Sequence, residues 1–348
     1  EESDFISEKI RELRFRDQLR YNDFGVLVRT NSLLTQLEQA FLSAGIPYKV
    51  SGGMSFFQRK EIKDVISYLR VLLNPDDDMS LLRIMNTPRR GIGKKTLEQF
   101  SSYAEGHACS LFSAITAYAH AEDTAISPAV RTKAGELTEL IEHHSRQLRK
   151  GGNAASATSE LLLDIGYRNH IIAEHQSNES LARWKIGNID LFISIIRDWE
   201  RNPDNHGRSI YAFLQNISLS GRSEPDQEEG KVNLMTIHAA KGLEFNTVFL
   251  AGVEDHIIPH RRAIEESPEN LEEERRLFYV AITRAEVNLY MTSCRTRNFM
   301  RERIETLPSR FIGELPAHLL EPVAEDTVVE TDRAKDFFSQ LRRQMAQK

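Results

Sequence analysis

Cysteine is nearly absent from this sequence. Two residues in 348, Cys109 and Cys294, cannot build a disulfide framework, and a reducing cytoplasm is the expected compartment. Long apolar runs are missing as well. None approaches the ~18 residues that span a bilayer, so no membrane partner is expected. The chain opens Glu1-Glu2-Ser3-Asp4, the opposite of a secretory leader's basic start. Excess positive charge is lacking too. With a net charge of -6 there is no global basic field, and any nucleic-acid contact must come from local patches. No G-x-x-x-x-G-K-[ST] phosphate loop occurs. Gly93-Lys94 lacks both the upstream glycine and the following hydroxyl residue, and Gly230-Lys231 fails likewise. There is no zinc-spaced Cys/His set, hence no metal site to nominate, and no nucleophile elbow.

What is present is organised in blocks. The length suits two domains. Residues 1–22 are charged and helical in pattern, with Ile6, Ile10 and Leu13 on one face. Phe24–Val28 reads as a buried strand, Ser32–Ala44 as an amphipathic helix ended by Gly45, and Ile46–Val50 as a second strand. This order suits a parallel sheet with a helical crossover. After Ser51-Gly52-Gly53 the pattern turns wholly helical: Glu61–Leu73, Met79–Asn86, Thr96–Tyr103, Leu111–Ala119, Val130–Arg149, Ser156–Asp164, Ser180–Glu200 and Ser209–Ile217. Ser220–Gly230 has linker composition. Strands return at Val232–Thr236, Thr247–Leu250 and Val287–Thr292, with a charged helix at Glu272–Thr283. The economical fold class is α/β, with a helical domain inserted into a parallel-sheet domain. Residues 1–52 and 230–320 form the sheet domain, 53–229 the insertion, and 321–348 a tail that is polar and acidic before a basic end at Arg333–Lys348. The insertion is expected to swivel about Gly52-Gly53 and the linker, with its two ends close in space.

Three segments carry chemistry. VNLMTIHAAKGLEF (232–245) runs from a strand into Thr236, His238 and a Lys241-Gly242 turn, at the strand end where α/β sheets bind ligands. Glu244 alone reads as a surface acid. EEERRLFYVAITRA (272–285) packs a stripe of Leu277, Val280 and Ala281 and puts Arg284 in the last helical turn. There the arginine either complements the helix dipole, worth ~0.3–1 kcal/mol, or aims two parallel N–H donors at a phosphate. Between Arg83 and Lys95 the sequence holds Arg83, Arg89, Arg90, Lys94 and Lys95 with no acid, around Gly91-Ile92-Gly93. Such a turn either grips a phosphate backbone, as a helix–hairpin–helix does, or is a solvated basic loop.

Taken together these segments resemble the Rep/UvrD/PcrA-type superfamily 1 helicases. The two long segments resemble that family's motifs V and VI, and Ile258-Pro259-His260-Arg261-Arg262 its Phe/Leu-Pro-His stretch. VLVRTNSLLTQLEQAFLSAGIPY (26–48) and GGMSFFQRKEIKDVISYLRVLLNPDDD (52–78) are similar to the run that enters the insertion. NTPRRGIGKKTLEQF (86–100) resembles the GIG element, and LPSRFIGELP (307–316) the end of the domain. Asn74–Asp78 and the basic tail lean towards the Rep branch. The resemblance spans about Asp23 to Pro316.

That resemblance implies the C-terminal half of an ATP-dependent 3′–5′ DNA helicase or translocase of the bacterial cytoplasm, serving DNA replication or repair. The half is a second RecA-like motor domain (2A) with the helical 2B domain inserted. Arg284 matches an arginine that reaches the γ-phosphate, and Glu244 a glutamate on the nucleotide ribose. Thr236 and His238 match positions beside single-stranded DNA, and Arg29 and Asn31 border the same strand. Gly91, Gly93 and Thr96 match the element that holds duplex, with Arg89, Arg90, Lys94 and Lys95 beside it. Val28 departs from the family, where many relatives have Tyr. The partners implied are single-stranded DNA, single/double-strand junctions, a first motor domain in cis, and replication or repair proteins. ATP and Mg²⁺ belong to the longer parent, with neither expected on this half alone, which is then inactive. A non-catalytic DNA- or protein-binding regulatory module, or part of a helicase–nuclease subunit, is the alternative.

Overall fold

The computed structural model describes residues 1–120, 127–149, 153–202, 205, 209–221, 230–299 and 302–322. Most of the linker, residues 222–229, and the tail from residue 323 lie outside them. The first elements are α1 (Glu2–Asp17), β1 (Phe24–Val28), α2 (Asn31–Ala44) and β2 (Tyr48–Ser51). The α1 face carrying Ile6, Ile10 and Leu13 is fully buried, and α2 ends at Gly45 as the periodicity predicts. Then come α3 (Lys60–Leu73), α4 (Asp78–Ile84), α5 (Lys94–His107), α6 (Leu111–His120), α7 (Pro128–Arg149), α8 (Ala154–Asp164), α9 (Tyr167–Glu174), α10 (Glu179–Arg201) and α11 (Ile210–Gly221). The last elements are β3 (Val232–Thr236), β4 (Phe245–Ala251), α12 (Arg261–Glu266), α13 (Pro268–Ile282), β5 (Ala285–Met291), β6 (Thr296–Phe299) and β7 (Glu302–Glu305).

The expected α/β class is what the chain forms. Five strands make a sheet in the order β2-β3-β1-β4-β5, every neighbouring pair parallel. β1 and β3 are buried along their whole length and β4 nearly so. That is why they read as continuous apolar runs rather than alternating ones: both faces of a parallel sheet are covered. β1 and β2 share the sheet but no ladder, because β3 lies between them. That strand arrives only after some 180 intervening residues, so the whole helical stretch is spliced between two neighbouring strands.

The two ends of that stretch lie on adjacent strands, offset along them rather than level. It leaves from the C-terminal end of β2, where Ser51 pairs with Met235, and rejoins at the N-terminal end of β3, where Val232 pairs with Tyr48. In this parallel pair the two ends are offset by three residues, about 10 Å along the strands, and by one strand spacing across. Gly230 accordingly lies against Asn22, just ahead of β1. The helices share a core built from Phe56, Tyr68, Leu69, Phe100, Phe192 and Phe213 among others, and Leu42 of α2 belongs to it. α11 packs on α2 and β2.

The sheet and the helices fall in one compact unit, residues 1–252 with 279–293. A second unit begins at Val253 and resumes at Cys294. Its anchor is Glu254, fully buried, whose carboxylate accepts from Arg297 Nε (2.6 Å) and Nη2 (2.8 Å) and from the Cys294 N–H (2.6 Å). A buried carboxylate must be matched this way, and the planar guanidinium does it with two donors at once. The β6–β7 hairpin of this unit carries no turn signal that periodicity reads. The α13 stripe also differs from expectation. Glu274, Phe278 and Ala281 are buried, while Leu277 and Val280 are half-buried. Among the described residues no helix is long and apolar enough to cross a membrane.

Candidate functional site

Parallel register decides which candidate residues meet. Val28 pairs with Thr236 and Ser51 with Met235, so β2, β3 and β1 end at one level. The residues that follow them therefore gather on the same edge: Gly52-Gly53, Thr236–His238, and Arg29 with Asn31. Thr236 is 9 % exposed, whereas Asn31 and His238 are open to solvent. The 3-10 turn Ile237–Ala240 explains His238. Its ends, Ile237 and Ala240, are fully buried, and residues three apart eclipse in a 3-10 turn, which leaves His238 facing outward. Gly52 has φ 73°, and a Cβ there would stand 2.8 Å from Thr236 Oγ1 and 2.3 Å from Ala239 Cβ. A Cβ on Gly53 would stand 2.7 Å from Asn31 Oδ1. Two glycines thus let the three strand ends close up. The edge offers a hydroxyl, an amide, an imidazole and a guanidinium, a set suited to sugar and phosphate oxygens.

The other two candidates stand on the opposite edge. After Ala240 the chain passes Lys241 and Gly242 (φ 84°), returns along the sheet, and enters β4 at Phe245. Phe245 pairs with Ala285, the first residue of β5, and its N–H donates to Arg284 O at 2.9 Å. Glu244 and Arg284 are therefore neighbours, each one residue ahead of its strand. Glu244 is exposed. α13 stops at Ile282, so Arg284 lies just beyond the helix rather than in its last turn. Its Nε donates to Val280 O (3.0 Å), Nη1 to Leu243 O (2.8 Å) and Nη2 to Thr283 Oγ1 (3.1 Å). All three acceptors are neutral. The guanidinium does close the helix end, as the dipole reading requires, yet these contacts leave its charge unmatched by a carboxylate. A phosphate oxygen makes stronger, charge-assisted bonds than a carbonyl and can displace such acceptors.

The basic turn between α4 and α5 divides its arginines. Gly91 has φ 77°, and both Gly91 and Gly93 face open space, with nothing near a would-be Cβ. Ile92 is 5 % exposed and pins the turn to the helical core. Arg89, Lys94 and Lys95 are exposed, and Thr96 is half-buried in the first turn of α5. Lys94 stands 3.8 Å from Glu98, one turn along. Arg90 does not join them. It turns inward, Nη1 donating to Ile84 O (2.9 Å), Met85 O (3.3 Å) and Pro88 O (3.4 Å), and Nη2 to the Tyr68 hydroxyl (2.6 Å). Ile84 and Met85 close α4 and Pro88 lies in the turn beyond it; Ile84 O also accepts from the Thr87 N–H at 3.0 Å, and Arg90 adds a charged donor to all three carbonyls. Arg83 is also taken, since its Nε pairs with Asp64 Oδ1 at 2.7 Å. The stretch has no acid in sequence, but α3 brings one in space.

One polar network escaped sequence reasoning. Glu38 of α2, 1 % exposed, accepts from the Phe56 N–H (2.9 Å), the Tyr48 hydroxyl (3.3 Å) and the Ser55 hydroxyl. Burial pushes its carboxyl above the ordinary range, with those hydrogen bonds opposing. Arg59 donates to Asn188 Oδ1 (2.8 Å) and Thr35 Oγ1 (3.4 Å), and burial lowers its pKa. The signal was a lone Glu on the apolar face of α2, visible only once that face is drawn.

The family described as the UvrD-like helicase C-terminal domain matches residues 1–296. The chain is similar to the ATP-dependent DNA helicase PcrA of Staphylococcus epidermidis, with 38 % identity over 322 residues, 92 % of this chain and 43 % of that protein. It is 37 % identical to the PcrA of Staphylococcus aureus over the same length and coverage. The chain thus spans well under half the length of these relatives.

Proposed function

Because the chain belongs to the UvrD-like helicase C-terminal domain family, we propose that it is the second motor domain, with its insertion, of an ATP-dependent 3′–5′ DNA helicase or translocase. One observation carries this reading: register gathers Arg29, Asn31, Thr236 and His238 on one sheet edge and sets Glu244 beside Arg284 on the other. The first edge grips single-stranded DNA. The second faces a nucleotide held by a first motor domain elsewhere in the parent protein, which also supplies the ligands for Mg²⁺.

Arg284 fits the nucleotide role because its donors rest on neutral acceptors and can turn to a phosphate. ATP supplies the transferring phosphoryl group, and Arg284 neutralises charge that grows on its oxygens. Glu244 accepts from a ribose hydroxyl. Residues 53–229 are an inserted domain that presents Arg89, Gly91, Gly93, Lys94, Lys95 and Thr96 to the backbone of duplex at a single/double-strand junction. Any swivel of that domain on α2 must break the Glu38–Phe56 and Arg59–Thr35 bonds. The setting is the bacterial cytoplasm, in DNA replication or repair.

The test compares two polypeptides. The 348 residues alone should bind single-stranded DNA without hydrolysing ATP, whereas the longer parent should show DNA-stimulated ATPase activity. A parent whose hydrolysis ignores single-stranded DNA refutes the reading.

A further inference from the structure

The sequence has two tryptophans, and they differ sharply in setting. Trp199 is 5 % exposed in the helical core, while Trp184, on α10, is 50 % exposed. Trp184 is not a loose surface ring. The Arg59 guanidinium lies 4.8 Å from its centroid, and the same guanidinium lies 5.1 Å from the buried Phe56 ring. Phe56, Arg59 and Trp184 thus form a cation–aromatic cluster built outward from the core. Arg59 is fixed by Asn188 and Thr35, and Asn188 is fixed in turn by Glu61, its Nδ2 donating to Oε1 at 2.6 Å. The hydrogen bonds of Arg59 go to neutral groups, with Glu38 and Glu61 acting on its charge only through space, and its guanidinium lies over the π-face.

Position gives the cluster its meaning. Thr35, which holds Arg59, lies four residues along α2 from Asn31, and residues so spaced stand about 5–6 Å apart on one helix face. Asn31 lies against Gly53 on the sheet edge. The cluster therefore continues that edge onto the helical stretch. Exposed Lys60 and Arg183 stand beside Arg59 and Trp184 in the chain, with Glu174 and Glu179 as their ion-pair partners.

We propose that Trp184 is a stacking platform for one unpaired nucleobase of single-stranded DNA, extending the strand path from the sheet edge onto the insertion. This rests on reading the edge of Arg29, Asn31, Thr236 and His238 as the strand-binding edge. A flat π-system is the ligand that a preorganised, half-open indole backed by a guanidinium takes without regard to base identity. Backbone phosphates then lie along the neighbouring polar edge.

The two tryptophans make the test direct. The 348-residue chain is titrated with oligo(dT) of about 16 nucleotides, a length that spans such sites. Intrinsic fluorescence reports stacking, and the anisotropy of a labelled oligonucleotide reports binding. The expected result is quenching in the unmodified chain, lost in Trp184→Ala together with about 5- to 100-fold of affinity. Trp184→Phe should keep most of the affinity without the quench, which separates stacking from a folding defect. If the chain binds without quenching and Trp184→Ala binds as well, the platform is refuted and the edge reading stands. If the unmodified chain binds no oligo(dT) even at low salt, both fall.

Discussion

The loops around the sheet and the basic turn of the helical stretch treat their candidate residues differently. At the sheet, backbone pairing does the placing. Once β1, β3 and β2 are in register, the residues that follow them must share an edge whatever their side chains do. At the turn, side-chain partners from other helices decide. Of five basic residues read as one patch, Arg83 goes to Asp64 and Arg90 to carbonyls and Tyr68, which leaves Arg89, Lys94 and Lys95. Residues placed by register share the edge that the strand order dictates, whereas charge counted along a helical surface overstates what reaches the solvent.

The sharpest test of the first half of this contrast is Arg284→Ala in the parent protein. Loss of an arginine that stabilises phosphoryl transfer costs roughly 10³–10⁵ in kcat. Steady-state ATPase with saturating single-stranded DNA should show that fall with nucleotide affinity little changed. A normal kcat would reduce Arg284 to a helix-end cap. The second half is tested by the salt dependence of fork binding. Neutralising Arg89, Lys94 and Lys95 together should flatten the slope of log K against log salt by up to ~2.7, about 0.9 per phosphate contact. Adding Arg90→Gln should flatten it no further. An additional change would put Arg90 back in the patch.

Arg90→Ala should instead appear in stability. Three carbonyls and the Tyr68 hydroxyl lose a charged donor, a loss on the order of 1.5–3 kcal/mol in urea unfolding. Arg89→Ala, exposed and without these bonds, should change it by less than ~0.5 kcal/mol. The smallest effect concerns Glu38, at the boundary between the two regions. Burial raises its carboxyl above the ordinary value of 4.5. A carboxyl raised on folding contributes stability that is complete below the unfolded pKa and lost as pH climbs through the folded one. Glu38→Gln keeps an acceptor for the Phe56 N–H without that ionisation. Its melting temperature should therefore vary less between about pH 4 and 7, with the gain over the parent greatest at the upper end. A variant that loses stability uniformly across this range would mean that the charge itself is needed beside Arg59.

Much of the fold was legible because its signals are local. β1 and β3 fall on the predicted residues, and the helices from α1 to α8 differ by a few residues at their ends. α9 was not, since its eight residues carry polar side chains on most faces and bury only Tyr167 and Ile171. The buried face of α13 was misread because Glu274 sits where an apolar residue was expected. Its carboxylate accepts from the His260 N–H at 2.9 Å, a partner fourteen residues upstream that no periodicity reveals. At the candidate site, Thr236, His238, Glu244 and Arg284 were legible as motif members. That they split between two edges was not, because the split depends on β3 and β4 running parallel rather than pairing as a hairpin. Trp184 was invisible for a simpler reason: a single aromatic in an amphipathic helix looks like core until its exposure is known.

The segment joining Thr236 to Phe245 has little slack. Thr236 is level with Ala251, six residues beyond Phe245, and β1 lies between the two strands. Strand rise and spacing put the ends roughly 22 Å apart. Four of the intervening residues are coiled in the 3-10 turn, and with the rest drawn out the path reaches only about 26 Å. A strap that short transmits a pull. If Glu244 takes a nucleotide ribose as proposed above, its shift would draw on His238 through the main chain, with no relay of side chains needed. Two extra residues at Lys241-Gly242 would leave both edges intact while letting either move alone. In the parent, ATP turnover should then persist while strand movement per turnover falls.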